Sequence, residues 1–210
     1  MIAVSGATGH LGNLVVQNLL ERGVEPAHIV ALVRSPEKAS DLAARGVQVR
    51  HADYSRPETL GPALQGVEKL LLVSSSEVGQ RAVQHANVVE AARAAGVKLL
   101  AYTSILHADA TAMQLAAEHR ASEEGIRASG IPFVFLRNGW YLENYTGNLG
   151  PALEHGALLG SAGDGRVSAA TRADFAGAAA AVLAGEGHEN RIYELGGDEA
   201  FTLAELAAIV

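Results

Sequence analysis

The stretch Gly6-Ala7-Thr8-Gly9-His10-Leu11-Gly12 constrains this chain most, because it directly follows the apolar run Ile2–Val4 and leads into a segment of helical period, Leu11–Arg22. Three glycines at this spacing are weak alone, but between a strand and a helix they form the phosphate-binding turn of a dinucleotide fold. Gly6 permits the tight turn, Gly9 lets backbone N–H groups approach a pyrophosphate, and Gly12 lets the helix close on the sheet. The bland alternative is an ordinary glycine turn. No Gly-Lys-Ser/Thr follows, which disfavours a nucleoside-triphosphate loop.

The same rhythm continues along the chain. Ile29–Val33, Val47–Val49, Leu70–Val73, Leu99–Thr103 and Phe133–Leu136 read as further strands, mostly without in/out alternation, as expected where both sheet faces are covered. Between them Pro36–Arg45, Pro57–Gln65, Gly79–Ala95 and Met113–Ser129 read as helices. Gly23, Gly46, Gly66, Gly96 and Gly130 stand where a helix ends in a left-handed cap. After Leu136 the rhythm changes: Trp140, Tyr141 and Tyr145 crowd together, and the glycine-rich stretch 156–165 offers turns. A last unit follows, with helix Ala173–Ala184, strand Ile192–Leu195 and a helix opening at Thr202, where Thr-x-x-Glu to Glu205 reads as a capping box. The fold class is therefore α/β, a Rossmann-type doubly wound parallel sheet with a small C-terminal substrate-side lobe. Residues 1–137 are expected to form the dinucleotide-binding domain, and 138–210 to supply substrate-side segments plus the returning helix and strand.

Composition narrows the function. A chain of 210 residues, 49% hydrophobic and 19% charged, is a folded domain, and 23 acids against 3 Lys and 13 Arg, net charge −7 with no basic run, argue against nucleic acid or an anionic membrane as partner. The absence of cysteine excludes disulfides, thiolate metal sites and thiol nucleophiles, and suits a cytoplasmic chain. With no basic leader and no run of ~18 apolar residues, signal and transmembrane segments are unsupported.

The ligand side begins at the second strand's end, where an NAD-preferring fold would offer an acid to the ribose. Here Arg34 stands instead, a guanidinium suited to the 2′-phosphate of NADP, or else a solvated surface arginine. Asp53 is placed to meet the adenine edge or to cap the helix at Pro57. Ser74, Ser75 and Ser76 lie at the carboxyl edge of the sheet, where their hydroxyls touch ribose or cap a helix. Catalysis is harder to place. The Tyr-x-x-x-Lys pair of ketone-reducing dehydrogenases is absent, and neither a metal-ligand spacing nor a Gly-x-Ser-x-Gly elbow occurs. His119, on the helix before the sixth strand, faces either the nicotinamide or solvent. Asn138, Trp140, Tyr141, Asn144 and Tyr145 combine amide donors with flat rings, giving a pocket for a planar substrate or a packed aromatic corner. No motif calls for flavin or metal.

Assembled, these residues resemble the NmrA-like branch of atypical short-chain dehydrogenases, and in it the bacterial quinone-reducing members. The resemblance rests on Ser5–Gly12, Ala52-Asp53-Tyr54, Gly66–Arg81, Ala101–Ser104, Leu136–Tyr141 and Ala170–Asp174, and spans nearly the whole chain. It implies NADPH held by Gly6, Thr8, Gly9, His10, Leu11 and Gly12, by Arg34 and Asp53, by Ser74–Ser76, and by Asn138, Gly139, Trp140, Tyr141, Leu142 and Glu143. It also implies a quinone beside the nicotinamide, with His119, Asn138 and Tyr141 nearest the chemistry. A dye reductase and an NADP(H)-binding redox sensor without turnover are the alternatives. Relatives run several dozen residues past the position of Val210, so the substrate lobe is expected to be truncated or reduced here. The physiological quinone and the oligomeric state stay open.

Overall fold

Strands that are apolar at successive positions must be covered on both faces. The computed structural model, which describes residues 1–147 and 149–210, meets that demand with one sheet of seven strands. These are β1 Ile2–Ser5, β2 Ile29–Val33, β3 Gln48–His51, β4 Lys69–Leu72, β5 Leu99–Ile105, β6 Phe133–Asn138 and β7 Arg191–Leu195. Their order is β3-β2-β1-β4-β5-β6-β7 and every neighbouring pair is parallel, so all carboxyl ends share one edge.

Helices α1 His10–Glu21, α2 Ser40–Ala44, α3 Pro57–Ala63, α4 Arg81–Ala94, α5 Gln114–Ala128, α6 Glu143–Thr146, α7 Leu149–His155, α8 Arg172–Ala184 and α9 Leu203–Ile209 complete the chain. Alternate strand residues feed two cores. Val4, Val33, Leu71 and Leu136 meet Val15 and Leu19 of α1 and Ala176 and Leu183 of α8 on one face. Ala3, Leu70, Leu100 and Phe135 meet Leu60, Val88 and Ile126 on the other. Lys69 reaches across to donate to the carbonyls of Leu183 (3.0 Å) and Gly185 (2.6 Å), placing a cation at the C-terminal end of α8.

The expected elements are present with local differences. The segment from Pro36 splits into a 3₁₀ turn, Pro36–Ala39, and α2, because Ala39 leaves the helical region (φ −110°, ψ 21°). Helix α4 starts at Arg81 and not at Gly79, whose φ of +86° is incompatible with a right-handed turn. The caps at Gly23 (φ +83°) and Gly130 (φ +76°) are left-handed as expected, and the Thr202–Glu205 capping box forms. The short helices α6 and α7 and the 3₁₀ turn Pro26–His28 were not anticipated.

Beneath the carboxyl edge of β5, β6 and β7 lies a buried ionic cluster. Arg137 grips Glu123 with two bonds (2.9 and 2.7 Å) and adds Asp109 (3.0 Å) and Glu194 (2.8 Å), while Ser104 donates to Glu123 (2.7 Å). The Arg137 and Glu123 side chains are each only 4% exposed, so neither has water as a substitute partner. Removing one partner of such a pair strands the other charge, at a cost of about 3–5 kcal/mol. Arg137→Leu should accordingly lower the free energy of urea unfolding by about that amount; a loss below about 1 kcal/mol would show that the cluster contributes little.

Candidate functional site

The loops leaving the strand carboxyl ends enclose a cleft of about 850 Å³. Its floor is the glycine turn. Gly6 has φ +59°, and the Gly9 N–H returns to the Gly6 carbonyl at 2.8 Å. A Cβ on Gly12 would stand 2.3 Å from the Gly6 oxygen, and one on Gly9 3.2 Å from it, so helix and loop are in backbone contact. The Asn13 N–H to Gly9 carbonyl bond (3.0 Å) begins the helical ladder. The N–H groups of His10, Leu11 and Gly12 therefore precede that ladder, at the positive end of α1, and its first turn holds no acid. Gly6, Thr8, Gly9, His10, Leu11 and Gly12 all line the cleft.

At the exits of β2 and β3, Arg34, Ser35, Lys38 and Asp53 form the next wall. Arg34 is 70% exposed and donates to Glu77 Oε1 at 3.0 Å, so its guanidinium is positioned, not free. Asp53 Oδ1 accepts from Ser55 N–H (2.9 Å); the helix at Pro57 has no side-chain cap, which sets aside the capping alternative. Beside them the Tyr54 hydroxyl donates to the Val73 carbonyl (3.0 Å) and pairs with Ser5 Oγ, and burial holds that phenol well above its ordinary pKa.

Ser74, Ser75 and Ser76 also line the cleft, supported from behind by a buried polar network. Ser74 N–H donates to Thr103 Oγ1 (2.8 Å) and Ser75 N–H to His85 Nε2 (3.0 Å). A backbone N–H can only donate, so His85 carries its proton on Nδ1, which lies 2.8 Å from Ser122 Oγ; Ser122 in turn donates to the Glu118 carbonyl (2.8 Å). Arg81 donates to the Ser75 carbonyl (2.8 Å) and pairs with Glu118 (2.6 Å).

The far wall comes from α5 and the exit of β6. His119 is 2% exposed, which rules out the solvated alternative, and its Nδ1 lies 2.6 Å from the Tyr102 hydroxyl. Burial, then the Arg81 charge, lowers its pKa to about 4, so the ring is neutral at neutral pH. Asn138 is buried, with its amide nitrogen 3.5 Å from the Tyr141 hydroxyl and its amide oxygen without a partner. Gly139 sits so close to Leu195 that a Cβ would approach its carbonyl to 3.0 Å. Tyr141 packs edge-on to Phe175 under the Arg172 guanidinium (4.8 Å), and burial raises its pKa. Trp140 lines the cleft half-exposed.

Two of the expected cofactor residues lie off the main cleft. Leu142 is absent from the cleft walls and its N–H is committed to the Ala170 carbonyl (2.9 Å). Glu143 turns instead to a smaller neighbouring pocket and accepts from Arg172 N–H (2.9 and 3.1 Å). Tyr145 packs on Phe201 outside the cleft, whereas Asn144 lines it. The sequence reading missed Lys38, Gln84, Leu115 and Arg172 as cleft residues. Only Arg172 carried a signal, its place at the start of a helix aimed at the same edge. Among the described residues no group of His, Asp or Glu could hold a metal ion.

An NAD(P)H-binding family model matches residues 6–186. The chain is 57% identical over 208 residues to Quinone oxidoreductase 2 of Escherichia coli (strain K12), covering 99% of this chain and 72% of that protein. It is 34% identical to NAD(P)H azoreductase of Xenophilus azovorans, covering 99% and 72%. Among solved structures, the Escherichia coli NADPH-dependent quinone oxidoreductase complexed with NADPH superposes with a TM-score of 0.96 at 57% identity, covering 99% and 73%. The Citrobacter sp. triphenylmethane reductase complexed with NADP(H) gives 0.95 at 48% identity, covering 100% and 74%.

The two histidines behind the cleft make stability pH-dependent. Burial lowers His85 to about 3 and His119 to about 4, both below the ordinary 6.5. As pH falls below 6.5 the unfolded chain takes up these protons first, so stability drops until the folded values are reached. Between pH 7 and 5, where most carboxylates stay ionised, each histidine should contribute a loss of up to about 2 kcal/mol. Urea unfolding at the two pH values should show that loss and His119→Gln should remove about half of it; equal stability at both would contradict the burial argument.

Proposed function

The chain belongs to the NAD(P)H-binding family, and from that premise we propose that it is an NAD(P)H:quinone oxidoreductase that uses NADPH and no flavin. The observation carrying this reading is the near-full-length similarity to Quinone oxidoreductase 2, whose solved structure holds NADPH. The residues present fit that cofactor: the N–H groups of His10, Leu11 and Gly12 precede the helical ladder of α1, with no acid in its first turn, and Arg34 and Lys38 would supply the cations that a 2′-phosphate needs. Asp53 and Ser74–Ser76 would hold the adenosine and ribose, and Asn138, Gly139, Trp140 and Tyr141 the nicotinamide end. In this division residues 1–137 form the NADP-binding domain, and 138–210 add the nicotinamide end, the substrate side and the returning helix and strand. Among the described residues no helix is long and apolar enough to cross a membrane, in keeping with a cytoplasmic site of action.

Bound NADPH supplies a hydride to the quinone. The chain's part is to position the two and polarise the acceptor. Tyr102 is kept protonated by burial, and a hydroxyl proton donated to His119 Nδ1 would leave the imidazole proton on Nε2, on a residue lining the cleft. A neutral imidazole in that tautomer offers a hydrogen bond without giving up a proton. Ketone reduction leaves a strongly basic alkoxide that needs an acid, whereas a reduced quinone is an aromatic anion that can take its proton from water. Orientation alone can contribute up to about 7–11 kcal/mol, more than the ~10²- to 10⁴-fold of a general acid. Similarity to triphenylmethane reductase favours a second reading, reduction of triphenylmethane dyes at the same cleft.

Loss of NADPH absorbance on addition of a benzoquinone tests turnover, and its absence would leave a binding protein without catalysis. Arg34→Ala should cut the NADPH-over-NADH preference in kcat/KM by tenfold or more, the worth of a charge-assisted contact of about 1.5–3 kcal/mol; unchanged selectivity would remove Arg34 from the site. His119→Ala should lower kcat by less than about tenfold, short of the loss of a true general acid, and a loss above about a thousandfold would overturn the acid-independent mechanism.

A further inference from the structure

Two buried side-chain atoms among the described residues lack a hydrogen-bond partner, Gln84 Oε1 and Asn138 Oδ1, and both residues line the cleft. Tyr141 can donate to or accept from Asn138, so that amide could be turned over without conflict. Gln84 has no such freedom. One end of its amide lies 2.7 Å from Glu77 Oε2 and 3.0 Å from Ser55 Oγ. A carboxylate only accepts, so the atom facing Glu77 is the NH₂ group, and the oxygen is the atom left without a donor. Gln84 is 4% exposed, so water does not relieve it, and a buried acceptor in that state favours any ligand that brings an N–H.

The surroundings identify the donor. Gln84 shares its wall with Arg34, Asp53 and Tyr54, at the exits of β2 and β3 where the adenosine half of the cofactor belongs. Asp53 Oδ1 is already engaged by Ser55 N–H. Glu77 uses one oxygen to hold Arg34 (3.0 Å) and the other to hold Gln84, so one carboxylate orients both the cation for the 2′-phosphate and the amide beside it. We propose that Gln84 is a specificity-determining residue whose amide oxygen accepts a hydrogen bond from the exocyclic amino group of the cofactor's adenine. This rests on the NADPH reading above and extends it to the base.

Calorimetric titration of the whole chain with NADP⁺ and with its hypoxanthine analogue, in which a carbonyl replaces that amino group, provides the test. The wild-type chain should bind the analogue at least about tenfold more weakly, since two acceptors then face each other. Gln84→Met, of similar length but without the acceptor, should shrink the difference to under about threefold, while Asp53→Ala should keep it. Equal binding of the two nucleotides by the wild-type chain overturns the proposal and leaves the cofactor reading intact; this comparison needs no variant to fold. A difference that vanishes in Asp53→Ala and persists in Gln84→Met assigns the base to Asp53 and also overturns it. Failure to bind NADP⁺ at all would remove both the proposal and the reading beneath it.

Discussion

At Gly12 the backbone of α1 rests on the carbonyl of Gly6 with no room for a methyl group between them. That contact fixes the height and direction of α1 above β1, and with it the direction in which the helix's first N–H groups point. The alanines of α8, Ala176, Ala179 and Ala180, let that helix close on α1 from the other side, and Lys69 ties the far end of α8 back to the sheet. The N-terminus of α8 thereby comes to the same edge as the N-terminus of α1, which is why Arg172 and the glycine turn line one cleft. The positive end of α1, with no acid in its first turn, favours an anion at that edge, whereas the first N–H groups of α8 are already met by Glu143 and by the Thr171–Asp174 capping box.

The opposite wall is held by polar contacts, not by close backbone packing. Behind Ser74 and Ser75 stand Thr103, His85, Arg81 and Glu118, each engaged by a hydrogen bond and each carried by β5, α4 or α5. Such a network is costly if any member is left unsatisfied, and when complete it holds a loop in one conformation without the loop needing apolar residues of its own. Ser74 and Ser75 line the cleft with their Oγ atoms accepting from Thr103 Oγ1 (3.3 Å) and Glu77 N–H (3.1 Å), which leaves each hydroxyl proton to donate. The same logic extends along β6: Arg137, clamped by Glu123, fixes the strand end from which Asn138 projects.

The fold was legible because its signals are periodic and local. Apolar runs such as Ile29–Val33 and the left-handed glycines that close helices mark elements without knowledge of their neighbours, and the glycine turn carries its own context. The supporting network was not legible for the opposite reason. Arg81, Gln84 and His85 share one face of the first two turns of α4 and by residue type read as the polar face of a solvated helix; only the docking of α4 against α5 and β4 buries them. Helices α6 and α7, of 4 and 7 residues, fall below the length at which a period can be read. Of the aromatic cluster, Tyr141 reached the cleft and Tyr145 did not, because the short α6 sends the second ring toward Phe201.

A chain of net charge −7 that binds a polyanionic nucleotide must concentrate its cations, and the pairing of those cations determines what the ligand gains. Arg34 is paired with Glu77 and Arg172 sits beside Glu143, so neither guanidinium faces the cleft as an isolated charge. On the proposed reading, a phosphate meeting Arg34 would exchange one anion for another, and its gain would be the difference between a bidentate phosphate contact and an exposed carboxylate pair worth little in water. Lys38, with no salt bridge among the described residues, adds attraction without a competing partner. The pairing also keeps Arg34 ordered before binding, so less conformational freedom is lost when the phosphate arrives. Discrimination for the 2′-phosphate would then come from geometry prepared by Glu77 more than from bulk charge, which is how an acidic protein can favour the more highly charged of two dinucleotides.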